Sequence, residues 1–332
     1  MERGAAGRLW RWKNVAFSPQ KINEKTFNIE KNRVSSHCCD CCCLCSSQCI
    51  PDQLCFRSSS DGDGNDRPSK VLVKNQKWLS KQKTYLWEQR AVGTDIKLKA
   101  VYLPAETKTN KTIIVAHGYH GSSYNMASYI RMFHNQGYNV LSPDDRASGK
   151  SGGRFITFGW KDRLDYCRWI KQVIKKNGND SRIGLFGVSM GGATVMMVSG
   201  EKLPKQVKAI VEDCGYSSVY DELSTQLTDQ FGLPKEPILS TAALFASPFI
   251  GYNFAKEGSS VAQLRKNKRP IFLIHGDSDD FVPTSMLQKN YDAVRSTKEK
   301  WVVKNTRHAN AYYTHPKEYA RKVGKFFGKY LD

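Results

Sequence analysis

The stretch Arg182-Ile183-Gly184-Leu185-Phe186-Gly187-Val188-Ser189-Met190-Gly191-Gly192-Ala193-Thr194-Val195-Met196-Met197-Val198 decides how the rest of the chain is read. An apolar run enters a turn of glycine, serine and glycine, and small and apolar residues leave it. That is the pattern of a buried strand, a tight turn and a helix, with Ser189 at the apex. Such a turn lifts the serine oxygen clear of the sheet, and glycines two before and two after leave room for a strained backbone. The helix start also aims N–H groups and a partial positive charge at any oxyanion nearby. G-x-S-x-G alone is a weak signal; the flanking strand and helix are what set it apart from a Gly/Ser turn capping an ordinary helix.

On both sides of this turn, short apolar runs alternate with helical patterns. Residues 94–103 alternate polar and apolar, as a half-buried antiparallel strand does. Residues 111–116 form a continuous apolar run, as expected of a parallel strand covered on both faces. Helices are expected near 124–135, 160–175, 284–295 and 316–330, and strands at 138–142, 182–186, 207–211, 270–274 and 300–303. This alternation predicts an α/β fold with a mainly parallel, twisted sheet flanked by helices. Between Cys214 and Lys268 the alternation stops and the chain reads as helical. That stretch, about 215–267, is expected to form a small helical cap, with Leu239, Leu244, Phe245, Phe249 and Ile250 lining an acyl pocket, packing the cap onto the core, or both.

Residues 1–70 differ from the rest. They hold eight of the ten cysteines, all within residues 38–55, and no strand or helix period persists. The expected division is therefore a disordered Cys-rich tail over 1–70 and a folded domain over 71–332. Three readings of the cluster stay open. S-acylation would give peripheral membrane association through the tail; the others are zinc binding and a biased stretch without function. The formal charge of +20 lies mostly downstream of the tail and is spread rather than blocked. It reads as a basic surface, and no nucleic-acid motif accompanies it. No run reaches the roughly 18 apolar residues of a membrane span, so the location is left as cytoplasmic or membrane-associated. Cys167 and Cys214 sit in apolar contexts and read as buried thiols, which argues against a disulfide-stapled domain.

A serine hydroxyl needs a base, and the base needs an orienting carboxylate. Open α/β sheets bind ligands beyond the carboxyl ends of their strands, so the partners should follow strands downstream of Ser189. Strand 270–274 runs into His275-Gly276-Asp277-Ser278-Asp279-Asp280-Phe281-Val282-Pro283, and strand 300–303 into Asn305-Thr306-Arg307-His308. His308 is the expected base and Asp279 the expected acid, ahead of Asp280 and Asp277. His117 and His275 read as turn or packing residues, and His120 as a pocket residue. The oxyanion donors are expected to be the amides of Met190 and of Tyr119, in the loop after the first parallel strand. The chemistry calls for no metal or cofactor.

With these elements in order, the chain resembles the α/β-hydrolase superfamily. It is most similar to a bacterial branch of serine hydrolases related to dienelactone hydrolases and prolyl-oligopeptidase-like enzymes. The resemblance covers roughly residues 75–331 and rests on H-G-Y-H-G at 117–121, D-D-R-A-S-G-K-S-G-G at 144–153, G-V-S-M-G-G at 187–192, H-G-D-S-D-D-F-V-P at 275–283 and H-A-N-A-Y at 308–312. In the family's H-G-x-x-D-x-x-V-P turn, the catalytic acid matches Asp279. Ala147-Ser148 depart from the pattern, since a Gly-His or similar pair is common there. The resemblance implies a lipase-like or carboxylesterase-like hydrolase acting on a small ester or acyl substrate through an acyl-enzyme. Thioester and peptide hydrolysis are the alternatives. An acylated N-terminal cysteine cluster also occurs in depalmitoylating thioesterases, and the tail resembles it in composition only.

Overall fold

The computed structural model describes residues 69–332; the Cys-rich tail expected over 1–70 lies outside them except for its last two residues. In chain order the elements are α1 (Lys70–Leu79), β1 (Tyr85–Arg90), β2 (Lys97–Leu103), β3 (Lys111–Ala116), α2 (Ala127–Asn135), β4 (Asn139–Pro143), α3 (Asp162–Asn177), β5 (Arg182–Val188) and α4 (Met190–Ser199). They continue as β6 (Val207–Asp213), α5 (Val219–Phe231), α6 (Ile238–Ile250), α7 (Ser260–Leu264), β7 (Ile271–Gly276), α8 (Ser285–Ala293), β8 (Lys298–Val303), α9 (Ala311–Thr314) and α10 (Pro316–Leu331).

The eight strands form one sheet in the order β1-β2-β4-β3-β5-β6-β7-β8. β1, β2 and β4 pair antiparallel, and every pairing from β4 through β8 is parallel. β3 and β5 to β7 are buried almost end to end, as strands covered on both faces must be. From β3 the chain steps to β4 on one side, then returns to lay β5 on the other side of β3. The loops after β3 and β5 therefore diverge and leave a crevice at the carboxyl edge, where α/β sheets bind ligands.

Two apolar clusters sandwich the sheet. One gathers Tyr166, Trp169 and Ile170 of α3 with Met196 of α4, Leu264 of α7 and Leu287 of α8. The other gathers Phe133 of α2 and Tyr319, Val323 and Phe327 of α10 against Phe186 of β5. A Cβ on Gly184 would lie 2.6 Å from both Ile113 and Phe327, so that strand residue must be small for α10 to seat.

Three features depart from the sequence expectation. β1 and α1 were not expected; β1 is an edge strand with an exposed-to-intermediate pattern, so no apolar alternation marks it. Of the 215–267 insertion, α7 packs into the core layer against α4 and α8 rather than capping the sheet. The side chains expected to line an acyl pocket divide between the two sides of α6. Leu244, Phe245 and Phe249 lie on α6 at 66%, 71% and 67% exposure, while the buried side of that helix carries only Leu239 and Ala243.

Candidate active site

Ser189 stands between β5 and α4 with φ 57° and ψ −121°, a backbone conformation that L-residues rarely adopt. Two constraints hold it there. Its N–H donates to Asp213 O at the end of β6 (2.8 Å), and its C=O accepts from Ala193 N to start α4 (3.0 Å). The turn closes because its glycines have no side chains. A Cβ on Gly187 would lie 2.1 Å from Gly191 O, and one on Gly191 would lie 2.2 Å from Ala116 O. Met190 is the first residue of α4, where backbone N–H groups stand outside the helical ladder.

The loop after β3 lies against this turn. A Cβ on Gly118 would sit 3.5 Å from the Ser189 Cβ. Buried His117 holds the loop: Nδ1 donates to Gly118 O at 2.8 Å, and Nε2 accepts from Asp145 N at 2.9 Å. That pattern requires a neutral ring, and burial pushes its pKa down accordingly. Asp144 adds a second tie, accepting from Ser123 N at 2.6 Å. The 144–153 segment therefore positions the loop after β3 as well as shaping the sheet edge, a role its sequence did not reveal. Ala147 takes φ 56°, so the residue that departs from the family pattern sits in the region glycine favours. Tyr119 stacks on Phe158 with ring centroids 5.6 Å apart, and His120 is an exposed residue against Tyr119.

The acid and base loops follow β7 and β8. They approach closely because Gly276 has no side chain; a Cβ there would lie 2.0 Å from Thr306 O. Of the three aspartates in the turn, Asp277 bonds Ser278 and Thr306 N, and Asp280 pairs with Arg307. Asp279 points inward. Its Oδ1 accepts from Phe281 N (3.0 Å) and Val282 N (2.8 Å), and its Oδ2 from His308 Nδ1 (2.8 Å). The other nitrogen of the same imidazole, His308 Nε2, lies 2.8 Å from Ser189 Oγ. The structure thus brings Ser189, His308 and Asp279 into one hydrogen-bonded line.

Sequence reasoning missed a second imidazole on this carboxylate. His275 Nε2 lies 3.2 Å from Asp279 Oδ2 and 2.9 Å from Val282 O. Burial alone would raise the Asp279 pKa, but the charge on His308 and the hydrogen bonds from His275 and His308 outweigh it and hold the carboxyl well below its usual range. For His275, burial pushes the pKa down, and the bond and charge of Asp279 reverse this to leave it raised. The i,i+4 spacing of His275 and Asp279 was the available signal, but only the turn geometry shows that the two side chains meet. Beneath them, burial pushes Glu212 up to about 8 and Asp213 up to about 6.

Among the described residues, one group could offer metal ligands: Cys214, Asp279 and His308 place a thiol, a carboxylate and an imidazole atom within 4.8 Å of one another. The Asp279 and His308 atoms already bond each other, and burial pushes the Cys214 thiol well up, keeping it protonated and a poor ligand.

Comparison with known proteins agrees with this architecture. The profile of the X-Pro dipeptidyl-peptidase (S15) family matches residues 93–246. YqkD of Bacillus subtilis is 30% identical over 251 residues, covering 76% of this chain and 81% of YqkD. YfhR of Escherichia coli K12 is 25% identical over 223 residues, 65% of this chain and 70% of YfhR. Among solved structures, the Pyrococcus furiosus esterase Pf2001 superposes with a TM-score of 0.61 at 28% identity, covering 77% of this chain and 95% of the esterase. A Pyrococcus horikoshii acylaminoacyl peptidase shares the fold, with a TM-score of 0.57 at 18% identity over 77% of this chain and 43% of the peptidase. The chain belongs to the α/β-hydrolase superfamily, a serine hydrolase that shares a family with YqkD.

Proposed function

We propose that the protein hydrolyses carboxylic esters through an acyl-enzyme on Ser189. The observation that carries this is the His308 imidazole, 2.8 Å from both Ser189 Oγ and Asp279 Oδ2. Nδ1–H is committed to the carboxylate, so Nε2 is left as the acceptor that a serine proton needs. Ser189 Oγ attacks the acyl carbon while His308 Nε2 takes its proton. The amides of Met190 and Tyr119 hold the oxyanion. The C–O bond breaks, and His308 returns the proton to the departing alkoxide. Water, activated by the same nitrogen, then releases the acid and restores Ser189. Asp279 keeps the imidazole in its tautomer and stabilises the imidazolium. The identity to the Pyrococcus furiosus esterase supports an ester substrate.

A second reading, peptide or amide hydrolysis by the same machinery, is favoured by the S15 family match over residues 93–246. Parallel assays on p-nitrophenyl esters from acetate to palmitate, an acyl-CoA and an aminoacyl amide decide between the two. The ester reading expects the highest kcat/KM on an ester; a preference for the amide would replace it. Ser189→Ala should lower kcat by about 10⁶ and abolish fluorophosphonate labelling. A Ser189→Ala variant that still takes the label would remove Ser189 from the reaction.

A further inference from the structure

The helix α6 is apolar on a side that the described residues leave largely uncovered. None of its 13 residues is charged, and only Leu239 and Ala243 are buried. Leu244, Phe245 and Phe249 project at 66%, 71% and 67% exposure. Phe155, 42% exposed, leans on Phe249 with ring centroids 5.9 Å apart, so the apolar face runs on from the cap to the loop before α3. Single exposed apolar residues are ordinary, whereas contiguous ones mark an interaction surface. At 13 residues the helix is about 20 Å long, and no described helix is long and apolar enough to cross a membrane.

Charge identifies the occupant. The Arg154 guanidinium lies 6.0 Å from the Phe155 ring centroid. The Lys161 side chain reaches Gly251, the C-cap of α6, and Lys235 precedes the helix by three residues. Two acids stand among these cations, Glu236 hydrogen-bonded by Tyr220 and Glu257 by Trp160 and Asn253, and with Lys256 the cations outnumber them by four to two. An apolar centre whose flanks carry a cationic excess is the make-up of a helix that lies in the headgroup–acyl boundary. A second copy of this chain would bring the same cations and the same net positive charge to the contact, whereas an anionic bilayer attracts both.

We propose that α6 and the Phe155 loop dock on an anionic lipid bilayer surface. Leu244, Phe245, Phe249 and Phe155 enter the acyl boundary, and Arg154, Lys161 and Lys235 meet headgroup phosphates. The loop that carries Phe155 also carries Phe158, which stacks on Tyr119 beside the elbow, so a docked bilayer neighbours the reaction site. Vesicle binding is read without turnover, so the inference stands or falls separately from the ester reading.

The experiment is co-sedimentation of the full chain with vesicles of phosphatidylcholine alone or mixed with phosphatidylglycerol. The wild type should partition about tenfold or more in favour of the anionic vesicles, and high salt should remove the preference. L244S/F245S/F249S should bind the anionic vesicles on the order of a hundredfold more weakly, and R154Q/K161Q about tenfold more weakly. The altered side chains of the triple variant are exposed, and an unchanged thermal unfolding midpoint shows that it folds. Absence of wild-type binding overturns the proposal. So does undiminished binding by the folded triple variant, which would assign the membrane contact to the tail or another face. Self-association that disappears in the triple variant, without vesicle binding, overturns it in favour of a second copy.

Discussion

Replacing Asp279 by Asn tests the role of the carboxylate without changing its size. In the wild type, Oδ1 accepts from the Phe281 and Val282 amides at 3.0 and 2.8 Å, and Oδ2 accepts from His308 Nδ1–H at 2.8 Å. The Asn carboxamide keeps its oxygen on the two amides, because its NH₂ cannot accept from them. The NH₂ then faces His308 Nδ1, which must become an acceptor. The ring proton moves to Nε2, 2.8 Å from Ser189 Oγ, where it blocks the transfer that starts the reaction. Recovering the working tautomer would set two N–H donors against each other at hydrogen-bond distance in a buried site. The matching change in serine proteases lowers kcat about 10⁴-fold, equivalent to about 5.5 kcal/mol of transition-state stabilisation. The assay is kcat and KM on p-nitrophenyl acetate across pH, with circular dichroism to verify folding. A folded Asp279→Asn variant within tenfold of wild type would refute the reasoning. The same substitution has a pH signature in stability. The folded-state pKa of Asp279 lies below the unfolded value of about 3.9, so its contribution is complete above that value and lost as pH falls through the folded pKa. The stability gap between wild type and Asp279→Asn should therefore narrow in acid.

Gly191→Ala places a Cβ 2.2 Å from Ala116 O, which forces the elbow away from β3. It should cost about 1–3 kcal/mol, seen as a lower thermal midpoint, together with most of the activity; an unchanged midpoint would show that the contact is relieved cheaply. Burial pushes Glu212 up to about 8 in the folded protein, while the unfolded chain ionises near 4.3. Between those values the unfolded state releases the proton first, so Glu212 lowers stability as pH rises. Glu212→Gln should gain on wild type by on the order of a few kcal/mol from pH 5 to pH 8 in urea unfolding, and parallel curves would contradict the shift. His275→Ala removes one imidazole from Asp279 and should lower kcat about tenfold with KM unchanged. His275→Gln, which can donate from a similar position, should restore most of it. If the Ala variant alters only the unfolding midpoint, His275 serves packing alone.

What was legible in the sequence is what local sterics and topology dictate. Gly187 and Gly191 stand where any Cβ would meet backbone, so the elbow could be read from their spacing together with the strand and helix on either side. His308 and Asp279 could be placed because a parallel sheet brings the ends of successive strands to one edge. The choice of Asp279 over its neighbours has a physical counterpart, since Asp277 and Asp280 each find partners outside the line. Contacts that depend on how a turn folds back were not legible. His275 ends a strand next to a glycine and reads as packing until the 275–279 turn sets its ring against the Asp279 carboxylate.

The cap shows a different limit. Apolar content shows that a segment prefers to leave water, but not what it will meet there. Ala193 through Val198 and Leu244 through Phe249 are both largely apolar runs in helices, and the sequence reads the first as the helix leaving the elbow and the second as a cap lining a pocket. α4 begins at a strained turn anchored on the central strand, so every one of its residues is enclosed whichever way it faces. α6 is reached through a loop from α5 and has no strand beneath it, so the angle at which it docks decides which side is covered. That angle buries Leu239 and Ala243 and leaves the three large side chains outside. A chain that keeps charged residues out of such an exposed helix sacrifices solubility there, which is accounted for if the helix meets something other than water.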